Sequence, residues 1–230
     1  MDRVENEIVF KNRQHAGEEL GRYLVPIYKH LHPLVLGIPR GGVEVAYYVA
    51  RELETDLSFV ITKKLPFPGH KEYGIGSIAE DYSVYISPRV EDSLPRNTIE
   101  NVIEEQKLEI DRRVSQYRQG SPIPLMEGRI VLLVDDGIAT GVTLIAAIRL
   151  CRKHGAARII LAAPVSGHKY DKALNEADDL EVLVQPEPFI SVGQVYEVFG
   201  DFTDEQMTDL LQRAEREKKP NNNWDNRGYN

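Results

Sequence analysis

Short apolar runs alternate with longer amphipathic stretches along most of the chain, the rhythm of parallel strands joined by crossover helices. Runs rich in Val, Ile and Leu predict strands at Leu34–Ile38, Leu57–Lys63, Ser83–Ser87, Ile130–Asp135, Arg158–Pro164 and Glu181–Gln185. Such a composition suits strands covered on both faces. Helical spacing, with polar caps or a nearby Gly, predicts helices at Ala16–His30, Val43–Glu54, Thr98–Arg118, Val142–His154, Lys169–Ala177 and Asp204–Glu217. Together they make an α/β fold, a mainly parallel sheet flanked by helices, as one domain over residues 1–217. Lys64–Gly76 holds two prolines and three glycines among charges and reads as a long loop, a length that is often functional. Gln119–Gly128 reads as a connector, and the polar stretch 218–230 as a disordered tail in which Trp224 offers an anchor for a partner.

Charge narrows the field. A net charge of −8 argues against a general nucleic-acid binder, which needs clustered Lys and Arg. Any phosphate site must therefore be built locally. Cys151 is the lone cysteine and cannot form an internal disulfide; inside a predicted helix without an activating partner, it reads as packing rather than a nucleophile. The N-terminus lacks a basic stretch followed by an apolar leader, and no apolar run approaches the roughly 18 residues of a membrane span. A reducing cytoplasm, away from membranes, is the expected setting. His30 and His32 lack a third ligand at sensible spacing and read as surface histidines.

The most informative stretch is Ile130–Leu144, IVLLVDDGIATGVTL: a buried strand, two adjacent acids, a turn of small residues, then a helix. Two carboxylates side by side repel each other, so a polyol, a metal or a cationic ligand is their expected company. Asp135 and Asp136 stand where open α/β sheets bind ligands. The small residues after them leave backbone N–H groups bare at a helix N-terminus, where free donors and the helix dipole favour a phosphate. A DDG turn that merely caps the helix is the plain alternative; strand, acid pair and TG-x-T turn in register argue against it. The chain has neither a G-x-x-x-x-G-K-[ST] loop nor a G-x-G-x-x-G turn after a strand.

IVLLVDDGIATGVTL resembles the 5-phosphoribosyl-1-pyrophosphate (PRPP) signature of the type I phosphoribosyltransferases. That resemblance implies a Rossmann-like fold with a small hood and a long flexible loop, PRPP as ligand, and magnesium bound mainly through PRPP. It implies that Asp135 and Asp136 meet the ribose hydroxyls, and that Ala139, Thr140, Gly141, Val142 and Thr143 wrap the 5′-phosphate. Ala139 stands where the family's 6-oxopurine enzymes carry an acid, which puts hypoxanthine and guanine in doubt as acceptors. Strand Leu34–Ile38 runs into Pro39-Arg40-Gly41-Gly42, which resembles the family's pyrophosphate loop: an Arg suits the leaving pyrophosphate, and two glycines admit backbone amides. A cis peptide at Ile38–Pro39 is the form the resemblance suggests.

Lys63–Asp81 falls in the position of the family's flexible catalytic loop, with Lys63, Lys64, His70 and Lys71 as candidate cations. Arg40, Lys63, Lys64 and Asp136 are the residues the resemblance assigns to catalysis. Gln185–Asp201, QPEPFISVGQVYEVFGD, resembles the C-terminal segment of a group of phosphoribosyltransferase-domain proteins with RGG, PG-loop and PEPF features, a likeness that covers residues 8–215. Phe189, Tyr196 and Phe199 are its candidates for stacking on an acceptor base, against plain packing at the sheet edge. The implied reaction is transfer of 5-phosphoribosyl from PRPP to a nitrogenous base or another nitrogen nucleophile, by an enzyme that is a homodimer by family habit. The alternative is a PRPP-binding regulator without turnover.

Overall fold

The computed structural model describes residues 9–218, with the side chains of all of these except Lys71, Glu72 and Lys218. Trp224 and the predicted tail beyond Lys218 lie outside the described residues. In chain order the first half runs α1 (Arg13–Tyr28), β1 (Leu34–Gly37), α2 (Gly41–Leu53), β2 (Leu57–Phe59), β3 (Thr62–Phe67), β4 (His70–Ala79), β5 (Val84–Ile86), α3 (Pro88–Glu91) and α4 (Arg96–Arg118). The second half runs β6 (Ile130–Val134), α5 (Val142–Lys153), β7 (Arg158–Val165), β8 (Asp179–Val184) and α6 (Asp204–Lys218). None of these helices is long and apolar enough to cross a membrane.

Five strands form an all-parallel sheet in the order β2-β1-β6-β7-β8. The register explains the core. Val35, Leu132 and Ile160 lie side by side and pack under Leu20 and Leu24 of α1 and Val45 and Val49 of α2. The next residues, Leu36, Leu133 and Leu161, point the other way, onto Leu144, Ile145 and Ile148 of α5. Alternate residues thus serve opposite layers, and each fully buried side chain contributes about 1.5–3 kcal/mol. The predicted fold class is the one observed.

Sequence and structure part company at the second sheet. Lys64–Gly76, read as a loop, is an antiparallel hairpin, β3 with β4, to which β5 adds a third strand. Its Pro and Gly residues mislead because each has a local job. Pro66 sits where the β3–β4 register shifts, a place that tolerates a missing N–H. Pro68 and Gly69 (φ 79°) make the two-residue turn. A Cβ on Gly76 would stand 2.0 Å from the Tyr85 carbonyl oxygen, so the strands could not approach with any other residue there. The predicted strand Leu57–Lys63 is two strands in different sheets, β2 and β3.

Two smaller expectations also change. Lys169–Ala177 holds only a 3-10 turn, Lys172–Glu176, whose start is capped by Asp171 accepting from the Ala173 amide. Among the described residues, the cis peptides are Pro39–Arg40 and Glu187–Pro188, not Ile38–Pro39.

One buried ion pair ties the layers together. Arg118, at the end of α4, pairs with Glu80 and donates to the carbonyl oxygens of Phe59 (2.9 Å) and Pro122 (3.1 Å). Glu80 in turn accepts from the Ile61 amide (2.9 Å). This knot holds the crossing from β2 to β3, and with it the root of the hairpin.

Candidate functional site

The chain moves from β1 to β2 on one side, and from β6 to β7 and β8 on the other. The strand order therefore reverses between β1 and β6, and such switch points open a crevice beyond the strands' carboxyl ends. β1 delivers Pro39-Arg40-Gly41-Gly42 into it, and β6 delivers Asp135 and Asp136. The Ile38 amide donates to Val134 O (3.0 Å), which laces the two mouths together, and the Asp135 amide donates to Ala162 O (3.2 Å), which ties the second mouth to β7.

The glycines and the acids face each other. A Cβ on Gly41 would lie 2.1 Å from Asp136 Oδ2, and one on Gly42 would lie 2.8 Å from Asp135 Oδ1 and from Val134 O. Glycine is what lets this turn rest on the carboxylates. Asp135 Oδ1 accepts from the Asp136 amide (2.9 Å), which pins the first acid. Burial and the neighbouring Asp136 charge push the Asp135 carboxyl well above the usual range, against the Asp136 amide and Arg13. Burial raises Asp136 as well and outweighs Arg13.

After the acids the chain is held by Ile138 and by the carbonyls of Thr140 and Val142. Ile138, buried, donates to Val165 O (2.8 Å) and accepts from Gly167 N (3.2 Å). Thr140 O takes the Asp171 amide (3.0 Å), and Val142 O takes the Ser77 hydroxyl (2.6 Å). Asp171 also accepts the Tyr85 hydroxyl (2.7 Å); the Tyr85 phenol is pushed up to about 12, by burial first and then by that bond. Gly141 caps α5 at φ 72°, and a Cβ there would stand 2.3 Å from Leu174 Cδ1. Among the described residues, the amides of Ala139, Thr140, Gly141, Val142 and Thr143 meet no acceptor. A row of unspent donors at a helix start, beside two acids, has the chemistry to hold a phosphorylated polyol. The hairpin sheet supports it through Ser77 and Tyr85.

The predicted cations differ in their surroundings. Arg40 is exposed and reaches Asp204 Oδ1 of α6 at 3.5 Å, where Asp204 also accepts from Tyr117 (2.6 Å) and Gln116 (2.8 Å). Lys63 Nζ lies 3.0 Å from Glu109 Oε1 of α4. Lys64 lays its stem over Gly74. His70 opens β4 in an exposed position, its ring centroid 6.2 Å from that of Phe67, and the Lys71 side chain lies outside the described ones. Cys151 is buried in α5, its thiol pushed up to about 12 by that burial.

Of the aromatic candidates, Phe189 is half-buried over Gly167. Tyr196 is buried and donates its hydroxyl to Asp136 O (2.7 Å), with its ring against Phe10 (5.6 Å) and Phe199 (4.8 Å). It holds the backbone of the second acid and sits in the segment 185–201, the counterpart of the expected hood, which residues 9–11 brace: Glu197 N donates to Phe10 O (2.8 Å) and Val198 N to Lys11 O (3.0 Å).

Arg13 joins the site from outside the sequence motifs. It opens α1, which Asn12 caps by accepting from His15 N (2.9 Å), and its Nε lies 2.8 Å from Asp136 Oδ2. No local signal marks it, since the two residues are 123 positions apart.

An open parallel sheet with an acid pair and a bare-amide turn at its switch point makes this an α/β protein of the doubly wound kind. The chain belongs to the phosphoribosyl transferase domain family, whose model matches residues 10–198. Two Mycobacterium tuberculosis proteins, from strains CDC 1551 and H37Rv, with names that assign them provisionally to the phosphoribosyl transferases, are each 35% identical to it over 216 residues. That match covers 91% of this chain but 48% of theirs, so the chain spans about half the length of these relatives. The crystal structure of TT1426 from Thermus thermophilus superposes with a TM-score of 0.77 at 34% identity, over 89% of this chain and 98% of that one.

Proposed function

We propose that the chain binds PRPP at the switch point and transfers its phosphoribosyl group to a nitrogenous base or another nitrogen nucleophile. The observation that carries this reading is the contact of Gly41 and Gly42 with the carboxylates of Asp136 and Asp135, five free amides lying just beyond. In this reading the acids accept from the ribose hydroxyls and the amides of Ala139–Thr143 hold the 5′-phosphate. The leaving pyrophosphate would lie over the Arg40-Gly41-Gly42 turn. The acceptor nitrogen donates its lone pair to C1, and the C1–oxygen pair leaves with pyrophosphate.

Among the described residues, no cluster of three or more acid, His or Cys side chains suits a dedicated cation. Asp136 Oδ2 is taken by Arg13, and Asp135 Oδ1 by an amide. The reading therefore has magnesium arrive on PRPP itself, where it would offset charge on the departing oxygens. Arg40 is the protein's cation for the same charge once it leaves Asp204, an exposed pairing at 3.5 Å that costs little to break.

Pyrophosphate release from PRPP and magnesium, followed across purines, pyrimidines and small amines, tests this. Release that depends on one acceptor class supports transfer. Tight PRPP binding with silence across the panel would favour a regulator instead.

A further inference from the structure

Arg13 does more than neutralise an acid. Its guanidinium meets Asp136 Oδ2 through Nε (2.8 Å), donates through Nη1 to Gly200 O (2.7 Å), and lies 4.0 Å from the centroid of the Phe199 ring. A Cβ on Gly41 would stand 2.7 Å from the same Nε. Only 11% of the side chain is exposed. One planar group thus touches the second acid, the glycine turn and the C-terminal segment. A guanidinium can do this because its donors diverge in a fixed plane while its face stacks.

We propose that Arg13 is a positioning residue for the sugar site: it holds Asp136 by one carboxylate oxygen, leaves the other for a ribose hydroxyl, and couples that orientation to the segment around Phe199 and Gly200. This rests on the PRPP reading and names a residue that reading does not contain. Phe199 has Arg13 on its ring and Tyr196 stacked at 4.8 Å, so it serves as the arginine's platform rather than as an open face for a base. Tyr196 ties the same segment to Asp136 O, so both ends of the second acid answer to the hood.

Among the described residues, the charged and titratable groups facing the Asp136 carboxyl are Arg13 from α1, Glu44 from α2, Asp135 beside it on the β6 turn, and Tyr196 from the C-terminal segment. Arg13 is the sole cation in that set. Removing it leaves Asp135, Asp136 and Glu44 to repel one another, and the second acid then takes up a proton at higher pH.

The test is calorimetric titration of the full chain with PRPP and magnesium between pH 5 and 9, comparing parent, Arg13→Gln and Arg13→Lys. Arg13→Gln should weaken binding about 10- to 100-fold at neutral pH. Its pH midpoint should move up by about one unit or more. PRPP's own titration is common to all three and cancels. Arg13→Lys should keep the parent midpoint, because the charge remains, and lose about three- to tenfold in affinity, because an ammonium cannot stack and fork at once. A uniform loss in Arg13→Gln with no shift of midpoint would overturn the inference. Should that variant not fold, an Arg13→Lys chain with parental affinity would overturn it equally. No binding by the parent at any pH would instead defeat the PRPP reading, and this inference with it.

Discussion

Gly41 and Asp136 are in contact so close that a Cβ on the glycine would reach 2.1 Å from the carboxylate oxygen. The turn after β1 and the acid after β6 therefore share one boundary, and neither can move without the other. Gly41→Ala should leave the sheet intact, cost about 1–3 kcal/mol through overpacking, and lower PRPP affinity tenfold or more by pushing Asp136 aside. Thermal unfolding alongside calorimetry checks this; a variant with parental affinity would show that the contact is incidental.

Asp135 gives a prediction about stability. Burial and the Asp136 charge raise its folded-state pKa above the unfolded value of about 3.9. The folded chain then binds a proton that the unfolded chain has released, so stability falls as pH rises from about 4 towards the raised value. Asp135→Asn removes that cost. The variant should melt above the parent at pH 7, each kcal/mol regained raising Tm by about 2–4 °C, and the gain should vanish below about pH 4. It should also bind PRPP more weakly, a site strained for its ligand. A lower Tm at pH 7 would contradict the assignment.

Arg40 is exposed and only loosely paired, so its removal should leave folding unchanged. If it meets the departing pyrophosphate, Arg40→Ala should lower kcat about 100- to 1000-fold while PRPP affinity changes far less. Equal turnover in variant and parent would remove it from the chemistry.

The Glu80–Arg118 pair lies outside the site, yet holds the root of the hairpin that supports it. Arg118→Met leaves the Glu80 carboxylate buried without its cation, which should cost about 3–5 kcal/mol in urea unfolding. Adding Glu80→Gln should recover a large part of the loss. Equal stability of both single and double variants with the parent would show that the pair contributes nothing.

The switch-point half of the site is legible in the sequence because strand, acids and small-residue turn are contiguous, and each is a local signal. Ile130–Asp135 and Leu34–Ile38 read as buried strands, observed as Ile130–Val134 and Leu34–Gly37, and Gly41 and Gly42 read as a turn, before their adjacency is known. The hairpin is not legible in the same way. Pro66, Gly69 and Gly76 carry loop chemistry, and only the approach of Tyr85 O to Gly76 and the register shift at Pro66 show why a sheet needs them there. Arg13, Ser77 and Asp171 act across long stretches of chain, so no spacing rule reaches them. The 3-10 turn at Lys172–Glu176 is too short for periodicity to separate from a helix.

The most direct measurement is the structure of a crystal of this chain grown with PRPP and magnesium. The account predicts ribose hydroxyls on the carboxylates of Asp135 and Asp136, with the 5′-phosphate on the amides of Ala139–Thr143. A ligand bound elsewhere, with this corner empty at saturating PRPP, would contradict it.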